Sequence, residues 1–420
     1  MKQASPSEFK LGRESFTRAG AVSPELLISL LLYMVADGGR RGYTHMLESF
    51  WADASDQGVY LPQEKPLSSA AFCNARHKLK SSALRVLLHD AASAFDRQHG
   101  AQHRFHGRRV LAVDGSKIPV QRAPDLWQEF GGPSNGHTPQ ILVATLFDVL
   151  AKVPLDASVA PYASSEREQL LCVLDQLRPR DVLVLDQGFP SYEVIDELLK
   201  RKVDFVLRMP VTGNYSGLQD FLRSGRYDAD IQLVPSEQGD AGHLGPFALR
   251  VVRRDGPDGK PQVFLTSLPR FNFPRAAILD LYRRRWEVEL FFRLEKGDYL
   301  GHQQFHARNA DGVRQEVFAL LLFVTLSRTL MAAAAEIHQV PYDRISQKGA
   351  LLAAATRFIV LLLQRPERAR KTLDALLRRI ARCLDELRRN RSCPRRSFKP
   401  SPRWGPQGRV FDPERSAQLR

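Results

Sequence analysis

The stretch VLVLDQGFPSYEVIDELLKRKVDFVLRM, residues 182–209, decides how the chain folds. It opens on four consecutive apolar residues without the alternation of a half-wet strand, the mark of a strand buried on both faces. The run stops at Asp186, after which SYEVIDELLKRK has helical spacing and DFVLRM returns to a strand. Upstream, VLAV at 110–113 is a second apolar tetrad that ends directly in an aspartate, Asp114. Between the tetrads, PQILVATLFDV and VPLDASVAPY read as two further strands, and EREQLLCVLDQL, residues 166–177, has helical spacing. The order strand, strand, strand, helix, strand, helix, strand predicts an α/β fold, a mixed sheet covered by helices in the order of an RNase H-like core.

Working outward, residues 1–104 read as a helical N-terminal domain. Ser23-Pro24-Glu25 is a helix start, with Ser as N-cap and Pro at the first helical position, before the apolar LLISLLLYMVA. A second helix near Leu67 ends in Arg76, His77, Lys78 and Lys80. On spacing alone this end fits equally a helix-turn-helix reader of a DNA groove and a helical bundle with solvated charges. The catalytic core takes residues 105–209, and a β-rich insertion takes 210–262, with DIQLV, FALRVVRR and the turn DGPDGK, after which comes QVFLTSL. Residues 263–340 return to the core with the long apolar helix QEVFALLLFVTLSRTLMAAAAE, and 341–420 form a basic helical C-terminal region with the Pro-rich close KPSPRWGPQG.

At 420 residues and 43% hydrophobic content the chain can build substantial cores. Its longest apolar runs fall short of the roughly 20 residues of a membrane span, and no basic-then-apolar leader opens it, so a soluble, cytoplasmic protein is expected. Four scattered cysteines without a Cys-x-x-Cys pair argue against a structural zinc site and a disulfide framework. Lys plus Arg number 61 against 46 Asp plus Glu, a net charge of +15, which favours a polyanionic partner over a membrane surface. Residues 361–420 hold 17 of the basic and 6 of the acidic residues, so 17 − 6 = +11 of that excess lies in the last 60 positions.

Asp114 and Asp186 stand where buried strands end, a costly place for a carboxylate unless it is paired or bound to metal. Either aspartate also fits a simple turn former. Neighbouring strands would bring the two together, and crowded carboxylates prefer a shared hard cation such as Mg²⁺. A third carboxylate comes from YRRRWEVELFFRLEK, residues 282–296. Taken as one helix with Tyr282 at zero, Arg285, Glu289 and Lys296 fall at about 300°, 340° and 320°, a single polar stripe on an otherwise apolar helix, while Glu287 lies across it. Glu289 can also serve as an ordinary salt-bridge partner of Arg285 or Arg293. With Asp114 and Asp186 it completes a three-carboxylate site able to hold two metal ions about 4 Å apart for in-line phosphoryl displacement.

The spacing Tyr282-x2-Arg285-x3-Glu289-x6-Lys296 resembles the Y-R-E-K signature of insertion-sequence transposases of the IS-four family. In that family the glutamate is the last member of an Asp-Asp-Glu triad, and the resemblance implies that Asp114 in AVDGSKIPV and Asp186 in VLVLDQGFPS are the first two. The family carries an all-β insertion between its second Asp and the Glu, in keeping with the 103 positions from Asp186 to Glu289. The resemblance extends over roughly residues 16–330. Two departures stand out: Gln187 replaces the usual Arg after the second Asp, and no Trp occurs between Asp186 and Trp286 to hold a flipped base.

The resemblance implies a DDE transposase that binds the terminal inverted repeats of its element, hydrolyses each end, and joins the freed 3′-hydroxyl to target DNA. It implies Mg²⁺ at Asp114, Asp186 and Glu289, as two ions that Mn²⁺ can replace. Double-stranded DNA would be the partner, held as element ends and target by a dimer in the synaptic complex, in a bacterial cytoplasm close to the nucleoid. Tyr282, Arg285 and Lys296 would hold DNA beside the glutamate, and Trp286, next to the stripe, would stack on a base or pack into the core. The rivals are a catalytically silent relative acting as a DNA-binding repressor, and an RNase H-like nuclease without strand transfer.

Overall fold

Both apolar tetrads lie at the centre of an eight-stranded mixed sheet in the computed structural model of the protein, which describes residues 22–36, 41–212, 215–235, 241–256, 259–293 and 305–386. Strands β1 (Val110–Pro119), β2 (Gln140–Asp148) and β3 (Val153–Pro161) form an antiparallel meander. On the other side of β1, β4 (Val182–Leu185) and β5 (Asp204–Met209) run parallel to it. The segment read as β-rich, 210–262, supplies β6 (Asp228–Leu233) and β7 (Phe247–Asp255), and the run that closes it supplies β8 (Pro261–Thr266); these continue the same sheet antiparallel from β5, in the order β3-β2-β1-β4-β5-β8-β7-β6.

Thirteen helices among the described residues surround the sheet. Four precede it: α1 (Pro24–Ala36), α2 (Tyr43–Asp56), α3 (Ser69–Arg76) and α4 (Ser81–His99). Between strands lie α5 (Pro124–Phe130), α6 (Glu166–Leu171), α7 (Tyr192–Lys200) and α8 (Leu218–Arg223). After β8 come α9 (Arg275–Arg284), α10 (Trp286–Arg293), α11 (Ala310–Ile337), α12 (Gln347–Leu361) and α13 (Pro366–Arg382). All belong to the unit Met1–Leu384; the remaining unit, with the Pro-rich close, lies outside the described residues except for its first two positions.

Why the tetrads lack alternation is visible in the two cores. Val110 and Ala112 of β1, Val184 of β4 and Val206 of β5 face a core shared with α1, α9, α10 and α11. Their neighbours Leu111, Val113, Leu183, Leu185, Phe205 and Leu207 face a second core with Leu170 of α6 and Val194, Ile195 and Leu198 of α7. Every position is therefore wanted apolar. The expected helix over 166–177 is shorter: α6 ends at Leu171, and a single 3₁₀ turn, Leu174–Gln176, follows, with Val173 and Leu174 both buried in the second core. Helix α11 is long and apolar enough to cross a membrane, but 83% of its most apolar window is buried inside the protein, which makes it the central helix of a core.

The helices before the sheet start as their caps dictate. The Leu26 amide donates to Ser23 Oγ at 3.2 Å ahead of α1, and Ser68 caps α3 by accepting from Ala71 N. Arg76, at the end of α3, neither reads a groove nor meets solvent: it is buried, with Nη2 donating to Glu316 Oε1 of α11 at 2.9 Å and Nη1 donating to Tyr43 at 2.7 Å. His77, Lys78 and Lys80 beside it are exposed.

Candidate active site

Strand β1 pairs with β4 only as far as Ala112 opposite Val184. Two residues further on each chain stand Asp114 and Asp186, on the face that looks toward α9, α10 and α11, in the crevice beyond the carboxyl end of β4. β1 continues past this point, paired only with β2 on its other side, where Thr145 lies directly opposite Asp114.

Over this crevice the polar residues of 282–293 arrive on two helices rather than one. Helix α9 ends at Arg284 and α10 begins at Trp286, and Arg285 between them sits in a tight turn, with its amide donating to the Tyr282 carbonyl at 3.1 Å and its carbonyl accepting from Val288 N at 3.2 Å. These bonds three residues apart overwind the chain for one turn, which a uniform 100° repeat does not anticipate. The stripe nevertheless stays on the crevice side. Tyr282 donates its hydroxyl to Asp186 Oδ1 at 2.8 Å, and the Arg285 guanidinium donates to the Glu289 carboxylate. Trp286, at the start of α10, is partly exposed, and Lys296 lies outside the described residues.

The electrostatics set the two aspartates apart. Burial, reinforced by the like charges of Glu166 and Glu289 and only partly offset by Arg285, pushes the Asp114 carboxyl up to about 6. Burial would also raise Asp186, but the Gln187 backbone N–H, the Tyr282 hydroxyl and the Arg285 and Arg208 guanidiniums together hold it below the usual carboxylate range. Arg208 Nη1 stands 3.6 Å from Asp186 Oδ1. Tyr282 in turn is pushed up to about 12 by burial and by the Asp186 charge, so it remains a donor at any working pH. Arg285 is 7% exposed and its Nε is buried without an acceptor.

Comparison with known proteins bears on what these residues are for. Residues 105–326, more than half of the chain, match the family described as "Transposase DDE domain". The chain belongs to that family. Among curated relatives of the DDE domain protein, the transposase InsG for insertion sequence element IS4 of Escherichia coli (strain K12) is 24% identical over 66% of this chain. The probable transposase for insertion sequence element IS5377 of Geobacillus stearothermophilus is 23% identical over 59%. The matched regions span 64% and 63% of those two proteins. Among solved structures, a piggyBac transposase synaptic complex with hairpin DNA aligns over 88% of this chain and 79% of its own, at 12% identity and a TM-score of 0.46.

Within the DDE domain the structure adds a carboxylate that pattern reading passes over. Glu166, the first residue of α6, lies against Gly115, where a Cβ would fall 2.5 to 2.7 Å from its carboxyl group and Cγ. Glycine beside Asp114 is thus what lets Glu166 approach from the other side of the sheet, at the edge β4 leaves uncovered. The only sequence signals are a Ser165 N-cap and a Gly after the aspartate, both common turn features.

The carboxylates around the crevice are oxygen donors, and Asp114 feels the charges of Glu166 and Glu289, which in kind suits a hard divalent cation. The buried hydroxyls of Ser116 and Thr145, on the Asp114 face, find no partner, so the wall around Asp114 has unused polar capacity. Among the described residues, no three Asp, Glu, His or Cys side chains converge on one point as a metal site, and the positive charges among the carboxylates are Arg285 and Arg208.

Proposed function

We propose that this protein is a transposase that binds the terminal inverted repeats of an insertion sequence and catalyses metal-dependent cleavage and strand transfer of DNA at Asp114, Asp186 and Glu289. The observation that carries it is the β1–β4 register, which puts each aspartate two residues beyond the last paired position, on the same face of the sheet, with Tyr282 hydrogen-bonded to Asp186 and Arg285 to Glu289. Membership of the transposase DDE domain family supports the same assignment. In this reading β3-β2-β1-β4-β5 is the RNase H-like core, and the strands between Asp186 and Glu289 include its β-rich insertion.

Asp114, Asp186 and Glu289 would hold Mg²⁺. The bound cations supply the charge that activates water or a 3′-hydroxyl and stabilises the leaving oxygen. The chain's own residues prepare for them. Tyr282 orients the Asp186 carboxylate through its hydroxyl. Arg285 occupies Glu289, so a DNA phosphate that takes over the guanidinium would free Glu289 for a cation. Double-stranded element ends and target DNA are the substrates, and pairing two ends requires a dimer.

On a duplex carrying the flanks of its gene, the wild-type protein should nick at the element boundary with Mg²⁺ or Mn²⁺ and be silent in EDTA. Tight binding without nicking under either metal would sink the enzymatic assignment and leave the DNA-binding repressor.

A further inference from the structure

A one-sided basic face lies on α13, well along the chain from the crevice. Taking Arg365 as zero, its buried residues Leu376, Leu377 and Ile380 fall between about 20° and 120°, and pack into the core. Arg368, Lys371, Arg378, Arg379 and Arg382 fall between about 220° and 320°, and all five are exposed. None has a carboxylate partner among the described residues; Glu367 and Asp374, at about 200° and 180°, border that arc on one side. A helix of ordinary fold surface intersperses both signs; this face carries one.

We infer that this face of α13 is a docking surface for the phosphate backbone of duplex DNA, separate from the crevice residues. From Arg368 to Arg382 the stripe runs about 21 Å along the helix, a length over which each strand of a duplex presents about six phosphates. The mixture of four arginines and one lysine suits phosphate oxygens, which guanidinium forks grip in pairs. At one end of the stripe the Arg368 guanidinium donates to the Gly58 carbonyl at 3.4 Å, and Tyr60, two residues on in the chain, is 89% exposed. A lipid surface fits less well, because the apolar side of α13 is already spent on the core and has nothing left to insert.

The test is the salt dependence of duplex binding by the full chain. Lys371→Gln, Arg378→Gln and Arg382→Gln are combined, and compared with a charge-matched control, Arg97→Gln, Lys200→Gln and Arg223→Gln. The α13 variant should lower the slope of log K against log salt by about 2 to 3, close to 0.9 for each phosphate no longer neutralised, with its thermal unfolding unchanged. The control should lower it by less than about 1. An unchanged slope, equal loss in the two variants, or stronger retention on anionic vesicles than on DNA overturns the inference. Because binding rather than cleavage is read, a wild type that never nicks leaves this test intact.

Discussion

Asp114→Asn is expected to make the protein more stable, and more so as pH rises. The Asp114 carboxyl titrates at about 6 in the fold against an ordinary 3.8, so the folded state holds its proton where the unfolded chain has lost it. For an acid raised in this way, the contribution to stability is fully present below about 4 and is lost as pH climbs through about 6. At pH 7.5 the ionised carboxylate therefore costs the fold up to about 3 kcal/mol, which the amide removes. Unfolding in EDTA should show a gain that is small at pH 4.5 and reaches about 2–3 kcal/mol above pH 7. A gain independent of pH would mean that the carboxylate is not held against burial and like charge. A residue that weakens its own fold belongs to the pattern of sites kept for chemistry.

Glu316→Ala should be among the most destabilising substitutions in the protein, by about 3–5 kcal/mol, because it strands a buried guanidinium. Arg76 and Glu316 side chains are 7% and 1% exposed, and Glu316 also accepts from the amides of His306 at 2.8 Å and Ala307 at 3.0 Å. Removing the carboxylate leaves Arg76 charged with the Gln315 and Gly312 oxygens and the Tyr43 hydroxyl around it, and leaves two backbone donors unpaired. Glu316→Gln, which keeps acceptors but not the charge, should lose less. Denaturant melts decide it: a loss under about 1 kcal/mol for the alanine variant would mean that water reaches Arg76.

This pair also shows where local reading stops. The strands of the sheet were legible because unbroken apolar tetrads such as 110–113 and 182–185 have few alternatives, and their terminal aspartates followed from the same pattern. Arg76 was not legible: its partner is 240 positions away, and next to His77 and Lys78 it looks like one more surface charge. The turn at Arg285 was hidden for a different reason. No Gly or Pro marks it, so residues 282–293 fit a continuous helix equally well until the partners of Tyr282 and Arg285 are known. Glu166 depends on two long-range facts together, the small Gly115 and the early end of β1–β4 pairing, neither of which has a local signature. The spacing from Tyr282 to Glu289 survived all of this because both helices keep their polar side over the crevice.

The central claim is that Asp114, Asp186 and Glu289 act as one site. It is tested most directly by nicking of end-containing duplex with Mg²⁺ in Asp114→Asn, Asp186→Asn and Glu289→Gln, beside Glu287→Gln as a control. Glu287 lies across the helix from the stripe and faces Lys152 Nζ at 3.8 Å instead of the crevice. Each of the three variants should bind the duplex and lose nicking by at least about 10³-fold, while Glu287→Gln cuts within a few-fold of wild type. Full nicking by any one of the three would contradict the shared site.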